Sequence, residues 1–86
     1  MASGPEHDPL TLEQALGRVI RALRTAKELK QIDVAVATGF AATTLRKMES
    51  GRQSMTIRSL DALATFYDVP IEELIIRAKK LRRGSL

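Results

Sequence analysis

Basic and hydroxyl side chains recur on one face of the segment that follows Gly39. At about 100° per residue in a helix, four of them fall within roughly 100° of one another: Thr43, Arg46, Lys47 and Ser50. Arginine and lysine donate hydrogen bonds to guanine N7 and O6 and to phosphate oxygens, and a threonine methyl contacts thymine. The spacing therefore predicts a surface that binds nucleic acid, although the same residue types also occur on any solvated helix face.

Apolar residues on the opposite face indicate how this segment is held. They recur three and four residues apart, at Ala41, Leu45 and Met48. Glu49 lies on the same inward face, where a carboxylate requires a partner. Gly39 supplies the left-handed backbone conformation that ends a preceding helix and turns the chain. We therefore predict helices over about 31–38 and 41–50 that cross at a steep angle.

The positive charge of the chain is unevenly distributed. The formal net charge is +4, and five basic residues lie near the C-terminal end: Arg77, Lys79, Lys80, Arg82 and Arg83. The rest of the chain is thus close to neutral, and net charge alone is weak evidence for a nucleic-acid partner. Between residues 39 and 60, however, Arg46, Lys47, Arg52 and Arg58 outnumber the one acid. The terminal basic run has three interpretations: a solvated helix end, a phosphate-contacting arm or an interaction segment.

Capping residues and apolar periodicity predict three further helices. Thr11 and Gln14 form a capping-box pattern that begins the first helix. Thr56 can cap a fourth helix, and Pro70 suits the first turn of a fifth. The inward stripe of the fourth helix is predicted at Ile57, Leu60, Leu63, Ala64 and Tyr67.

No strand-like alternation is sustained anywhere in the sequence, and 86 residues suffice for one small core. We predict an all-α fold of five helices, with a helix-turn-helix at helices 2 and 3. We expect three segments: a disordered leader over residues 1–9, the helix-turn-helix domain over residues 10–81 and a basic, flexible tail over residues 82–86.

Several function classes find little support in the composition. His7 is the only histidine, no cysteine is present, and no glycine-rich phosphate loop occurs. We therefore expect no enzyme, no metal site and no cofactor. Three aromatic residues are few for stacking on single-stranded bases. No apolar run reaches the length of a membrane span, so a soluble, cytoplasmic protein is expected.

One family shares the spacing of these residues. The pattern Gln31, Ala35, Gly39, Leu45, Met48, Glu49, Ser50 and Gly51, followed by Leu60, Ala64, Val69 and Leu74, strongly resembles the lambda repressor and Cro family, also called Xre-like helix-turn-helix regulators. The resemblance runs from about residue 16 to residue 76. The run from Met55 to Leu60, in a short chain, is most similar to the restriction-modification controller proteins.

The resemblance implies roles for particular residues. Double-stranded DNA would be the partner, contacted through Gln31, Ala42, Thr43, Thr44, Arg46, Lys47 and Arg52. Gln31, Thr44 and Arg52 would hold phosphates, and the others would meet base edges in the major groove. The resemblance also implies a structural ion pair between Arg24 and Glu49.

Two positions depart from the family pattern. The family usually begins its second and third helices with capping hydroxyl or acidic residues, whereas this chain has Lys30 and Ala41. Losing a cap costs about 1 kcal/mol per helix, and Lys30 places positive charge at the positive end of a helix dipole.

These observations favour a transcriptional regulator, most simply a dimeric repressor that reads a palindromic operator. Two apolar residues off the inward stripes, Phe66 and Ile76, predict the dimer interface, with Val69 and Ile75 at its edge. The alternative is an interaction module that retains this fold and binds a protein partner instead of DNA.

Overall fold

The computed structural model describes residues 10–84 and contains five α-helices in this part of the chain. Their bounds are Leu12–Ala26 for α1, Gln31–Thr38 for α2, Ala42–Ser50 for α3, Ile57–Tyr67 for α4 and Ile71–Gly84 for α5. The described residues contain no strand. The prediction of an all-α, five-helix fold is confirmed.

The predicted capping residues form the expected hydrogen bonds. Thr11 Oγ1 accepts from the Gln14 backbone N–H at 3.1 Å, and Gln14 Oε1 accepts from the Thr11 N–H at 3.0 Å. Thr56 Oγ1 accepts from the Ser59 N–H at 3.0 Å. These bonds satisfy backbone donors that the first turn of a helix leaves free, and they fix where α1 and α4 begin.

Left-handed glycines set the two turns that flank α3. Gly39 ends α2 at φ 85°, and Gly51 ends α3 at φ 78°. A side chain at either position would strain the backbone. A Cβ at Gly51 would also lie 2.7 Å from the Cα of Gln14. The turn that the sequence predicts at Gly39 is confirmed, and it leads directly into α3.

The core consists of two adjoining clusters. One joins α1 to α4 and α5 through Ala15, Leu16, Val19, Leu60, Ala64, Leu74 and Ala78. The other joins α1 to α2, α3 and α4 through Ile20, Val34, Ala35, Leu45, Met48, Leu63 and Tyr67. Leu23, Met55 and Val69 pack against both. This second cluster holds α3 against the rest of the fold.

The predicted inward position of Ile57 is wrong, since 75% of this side chain is exposed. Ile57 is the first residue of α4, and helical side chains lean toward the N-terminus. Its side chain therefore extends past the end of the helix, while Leu60 and Leu63 are buried.

The predicted limits at the C-terminal end also require correction. Helix α5 continues to Gly84, three residues beyond the predicted domain limit at Leu81. Leu81 packs against the first core cluster, and Arg82 Nε donates to the Leu10 carbonyl oxygen at 3.0 Å. Residues 82–84 are therefore helical in this structure. The predicted leader over 1–9 lies outside the described residues, as do residues 85–86.

Candidate nucleic-acid interface

Helix α3 presents opposite faces to the core and to solvent. Leu45, Met48 and Glu49 are buried, whereas Thr43, Arg46 and Lys47 are exposed. The core contacts of Leu45 and Met48 fix the rotation of the helix. The predicted polar face, which also includes the exposed Ser50, is thus open to solvent, and two of its four side chains are cationic.

The other predicted DNA-contact residues, on α3 and in the loop that follows it, differ in how far they are exposed. Ala42 packs in part against the second core cluster, so only part of its surface faces solvent. Thr44 is half-buried. Arg52 is exposed and follows Gly51 directly, beyond the C-terminal end of α3.

A buried ion pair ties α1 to the C-terminal end of α3. Arg24 Nε and Nη2 donate to the two carboxylate oxygens of Glu49, at 2.8 Å and 3.0 Å. The exposed fractions of the two side chains are 12% and 3%. Arg24 Nη1 also donates to the Leu29 carbonyl oxygen at 2.8 Å. The structure thus contains the pair that the family resemblance implies, as a two-pronged contact between side chains that are both largely withdrawn from solvent.

Gln31 belongs to the same network. Its Nε2 donates to Glu49 Oε1 at 2.9 Å, so the first residue of α2 is tied to the last turn of α3. The family resemblance implies a phosphate contact for this glutamine. In the structure the amide is bound to Glu49, which the sequence prediction missed.

The electrostatics of this network favour the charged guanidinium. The hydrogen bonds that Arg24 donates to Glu49 raise the pKa of Arg24, and the charge of Glu49 adds to the increase, while burial of the guanidinium opposes it. Arg24 is therefore a permanent cation, and it compensates the buried carboxylate.

The uncapped helix starts at Lys30 and Ala41 have different surroundings. Neither residue provides a side-chain cap. At α2, however, the Asp33 carboxylate accepts from the Lys30 backbone N–H at 2.9 Å. Asp33 also places negative charge in the first turn, where the helix dipole favours it. The sequence prediction missed this partial compensation, and α3 has no acidic residue in its first turn.

The predicted dimer residues are only partly available at the surface. Phe66 and Val69 pack against the second core cluster, and Ile75 packs against the first. Phe66 also makes an edge-to-face contact with Tyr67, with ring centroids 4.9 Å apart. Ile76, at 44% exposure, is the member of this set that the core leaves most free.

Two further properties bear on the class of protein. Within residues 10–84, no helix is long and apolar enough to cross a membrane. The same residues contain no group of three or more histidine, cysteine or acidic side chains that could hold a metal ion.

The family of this fold follows from comparison with known proteins. The model of the helix-turn-helix domain matches residues 15–74, from the first core residue of α1 to the first core residue of α5. The chain belongs to the helix-turn-helix family. This match agrees with the Xre-like helix-turn-helix family that the sequence resembles.

Individual relatives of this helix-turn-helix protein fall in the same group. The transcriptional repressor RstR of the cryptic phage CTXphi, from Vibrio cholerae, is 41% identical over 56 residues, which cover 65% of this chain. The chain spans about half the length of that relative, since the match covers 50% of it.

Solved structures agree on the fold. The restriction-modification controller protein C.AhdI from Aeromonas hydrophila is 31% identical, with a TM-score of 0.68, covering 71% of this chain and 92% of its own. The clp gene regulator ClgR from Corynebacterium glutamicum gives a TM-score of 0.84 at 21% identity, covering 90% of this chain and 82% of its own. The likeness to ClgR extends the fold match over most of the chain.

A buried tyrosine lies close to the ion pair of this helix-turn-helix protein. Tyr67 is 4% exposed, and its hydroxyl has no hydrogen-bond partner among the described residues. Burial, together with the negative charge of Glu49, raises the pKa of Tyr67 to about 12, and the charge of Arg24 opposes the increase. The neutral phenol is therefore the form that the folded state favours.

This pKa predicts a loss of stability in alkaline solution. Because the pKa is raised from 10.0 to about 12 on folding, the stabilisation is complete below pH 10 and is lost as the pH rises toward 12. Tyr67 is the only tyrosine in the chain, so absorbance at the phenolate band reports on it alone. We expect a titration midpoint well above that of the urea-unfolded chain. A midpoint equal to that of the unfolded chain would contradict this prediction, and Tyr67→Phe provides the blank.

Proposed function

We propose that this helix-turn-helix protein is a sequence-specific, double-stranded DNA-binding repressor that inserts α3 into the major groove. The observation that carries the proposal is the division of α3 into a buried face and an exposed face bearing Thr43, Arg46 and Lys47. Such a helix can donate hydrogen bonds to base edges without disturbing the core. The name of the Vibrio cholerae relative, a transcriptional repressor, supports repression as the outcome.

We further propose that the protein reads a palindromic operator as a two-fold dimer, because one small recognition helix contacts few base pairs. Ile76 would lie at the centre of the interface, with Phe66, Val69 and Ile75 contributing the surface that the core does not cover. Two chains on one duplex, measured by sedimentation of the complex, are the expected stoichiometry. One chain per duplex would contradict the dimer proposal and leave DNA reading intact.

Selection from a random pool of duplexes tests the proposal directly. We expect an enriched palindromic sequence, whose binding weakens steeply as salt concentration rises because phosphate contacts release counterions. Replacing Thr43 and Lys47 with alanine is expected to reduce discrimination between this sequence and a scrambled duplex by about tenfold or more, since each good base contact contributes about 1–3 kcal/mol.

Lys79→Ala is the matched control, because it removes the same charge from the exposed surface of α5. It should leave the discrimination unchanged. An absence of any enriched sequence, with no salt-dependent binding, would contradict DNA reading.

One observation favours a second candidate function, that of a protein-binding module. Ile32 and Val36 are one turn apart on α2 and are 54% and 75% exposed. A partner could cover this apolar pair. In that case Val36→Glu would abolish partner binding, whereas the DNA-binding proposal predicts no effect of this change on operator discrimination.

A further inference from the structure

The hydroxyl of Tyr67 is buried without a hydrogen-bond partner. Within residues 10–84 it is the one buried side-chain nitrogen or oxygen in this condition. Leaving a buried donor unpaired costs stability, and a phenylalanine would fill nearly the same space without that cost. An unpaired polar group in the core of a folded protein therefore requires an explanation.

The phenol lies beside the network that holds the end of α3. Tyr67 belongs to the same buried cluster as Met48, the residue directly before Glu49. Leu29, whose carbonyl oxygen accepts from Arg24, packs against that cluster. Besides burial, the negative charge of Glu49 raises the pKa of Tyr67, and the positive charge of Arg24 opposes the increase. The unpaired hydroxyl is thus close to an ionised acceptor.

The carboxylate of Glu49 can accept one more hydrogen bond. Oε1 accepts from Arg24 Nη2 and from Gln31 Nε2, and Oε2 accepts from Arg24 Nε. The two oxygens of a carboxylate offer about four acceptor positions. A further donor in the core can therefore bind Glu49 without displacing Arg24.

The two residues that donate to Glu49 differ in how firmly they are held. Arg24 is largely withdrawn from solvent and is also bound to the Leu29 carbonyl oxygen. Gln31 is half-buried and lines an open polar cleft, so its amide can rotate toward solvent. Gln31 is thus the donor that an acceptor outside the protein would withdraw. Glu49 would then lose one donor while the Tyr67 hydroxyl is still unpaired.

We propose that Tyr67 is a reserve hydrogen-bond donor to Glu49, which replaces Gln31 when a bound duplex draws the Gln31 amide outward. In the free protein Gln31 is paired and Tyr67 is not. In the complex the phenol donates to the carboxylate, so the last turn of α3 stays in place. The inference rests on the proposed DNA-binding function only for what draws Gln31 outward.

A double-mutant cycle without DNA tests the exchange. In the unmodified protein Tyr67→Phe removes an unpaired hydroxyl, so the melting temperature should be equal or higher. In the Gln31→Ala variant the hydroxyl is expected to donate to Glu49. Adding Tyr67→Phe to that variant should therefore lower the melting temperature by about 4–8 °C.

Gln53→Ala provides the matched control background, because it removes an exposed amide from the loop after α3. In this background Tyr67→Phe should act as it does in the unmodified protein. Equal effects of Tyr67→Phe in all three backgrounds would overturn the inference. An equal loss in all three would show that the hydroxyl is already hydrogen-bonded in the free protein.

The near-ultraviolet absorbance of Tyr67 gives a second measurement without DNA. The chain contains no tryptophan and no other tyrosine, so the tyrosine band reports on this phenol alone. A charge-assisted hydrogen bond polarises the phenol and moves its band to longer wavelength. We expect this shift in Gln31→Ala and not in Gln53→Ala. Identical bands in the two variants would contradict the exchange.

Binding to the selected operator tests whether the complex uses the exchange. Tyr67→Phe removes a donor that only the complex needs, so it should weaken operator binding by about tenfold. In Gln31→Ala the phenol is already paired before DNA binds, and adding Tyr67→Phe should leave the affinity unchanged. Weakening of equal size in both backgrounds would contradict the exchange and indicate a general effect on the fold.

Failure of this inference is distinguishable from failure of the proposed function. A reversed stability effect in Gln31→Ala, together with an unchanged operator affinity of Tyr67→Phe, would overturn the role of Tyr67 in DNA binding. If no operator is selected, the proposed function fails, and the cycle without DNA alone decides whether Tyr67 replaces Gln31.

Discussion

Replacing Arg24 with alanine is expected to lower the free energy of unfolding by about 3–5 kcal/mol, the cost of leaving a buried charge without its partner. The side chain of Glu49 is 3% exposed, so the two hydrogen bonds that it would lose lie in a place that solvent reaches poorly. The Leu29 carbonyl oxygen would lose a donor as well. Since small domains have total stabilities of about 5–15 kcal/mol, this single change would bring the protein close to unfolding.

Urea unfolding followed by circular dichroism measures this loss. Arg77→Ala is the matched control, because Arg77 forms an ion pair with Glu73 at the same 2.8 Å distance but with exposed fractions of 44% and 38%. An exposed pair of this spacing contributes about 0.3–0.5 kcal/mol. Similar losses for the two variants would refute the structural role of the buried pair.

Replacing Gly17 with alanine is expected to destabilise the protein by about 2–3 kcal/mol through overpacking. Replacing a glycine in a helix interior with alanine ordinarily increases the stability of a protein by about 1 kcal/mol. Here an added Cβ would lie 2.5 Å from the Met48 carbonyl oxygen and 2.8 Å from the Glu49 carbonyl carbon. These are backbone atoms that cannot rotate aside, so α1 and α3 would have to separate.

Gly84→Ala is the control for this prediction. Gly84 also lies in a helix, at the end of α5, but an added Cβ there meets no atom within 4 Å. The stability of the Gly84→Ala variant should be equal to that of the unmodified protein or slightly higher. If Gly17→Ala increased the melting temperature in the same way, the close approach of α1 and α3 would be refuted. Because α3 carries the proposed reading face, Gly17→Ala is also expected to weaken operator binding beyond its effect on stability.

Gly17 and Arg24 both hold the C-terminal end of α3 against α1. Gly17 allows α1 to approach the end of α3, and Arg24 binds Glu49 within that last turn. The other end of α3 is set by the left-handed turn at Gly39. Helix α3 is thus fixed at both ends by contacts within the fold, which leaves its outer face free to vary.

Local rules were sufficient to predict most of the secondary structure. The cap at Thr11, the cap at Thr56 and the turn at Gly39 depend on residues within a few positions of one another. Apolar spacing likewise predicts the buried side of α3, because the helical period alone determines which residues share a face. The one inward assignment in α4 that failed, Ile57, lies in a first turn, where periodicity does not show that the core has ended.

Local patterns in the sequence therefore predict the five helices, the helix-turn-helix and the division of α3 into apolar and basic faces. The contacts between residues distant in sequence were found only in the folded structure. Gln31 reaches Glu49 across 18 positions, and Gly17 meets the backbone of residues 48 and 49. An open polar cleft lined by Arg21, Arg46 and Glu49 likewise exists only once α1 and α3 have crossed. Such contacts depend on the crossing of packed helices, which local propensity and periodicity do not specify.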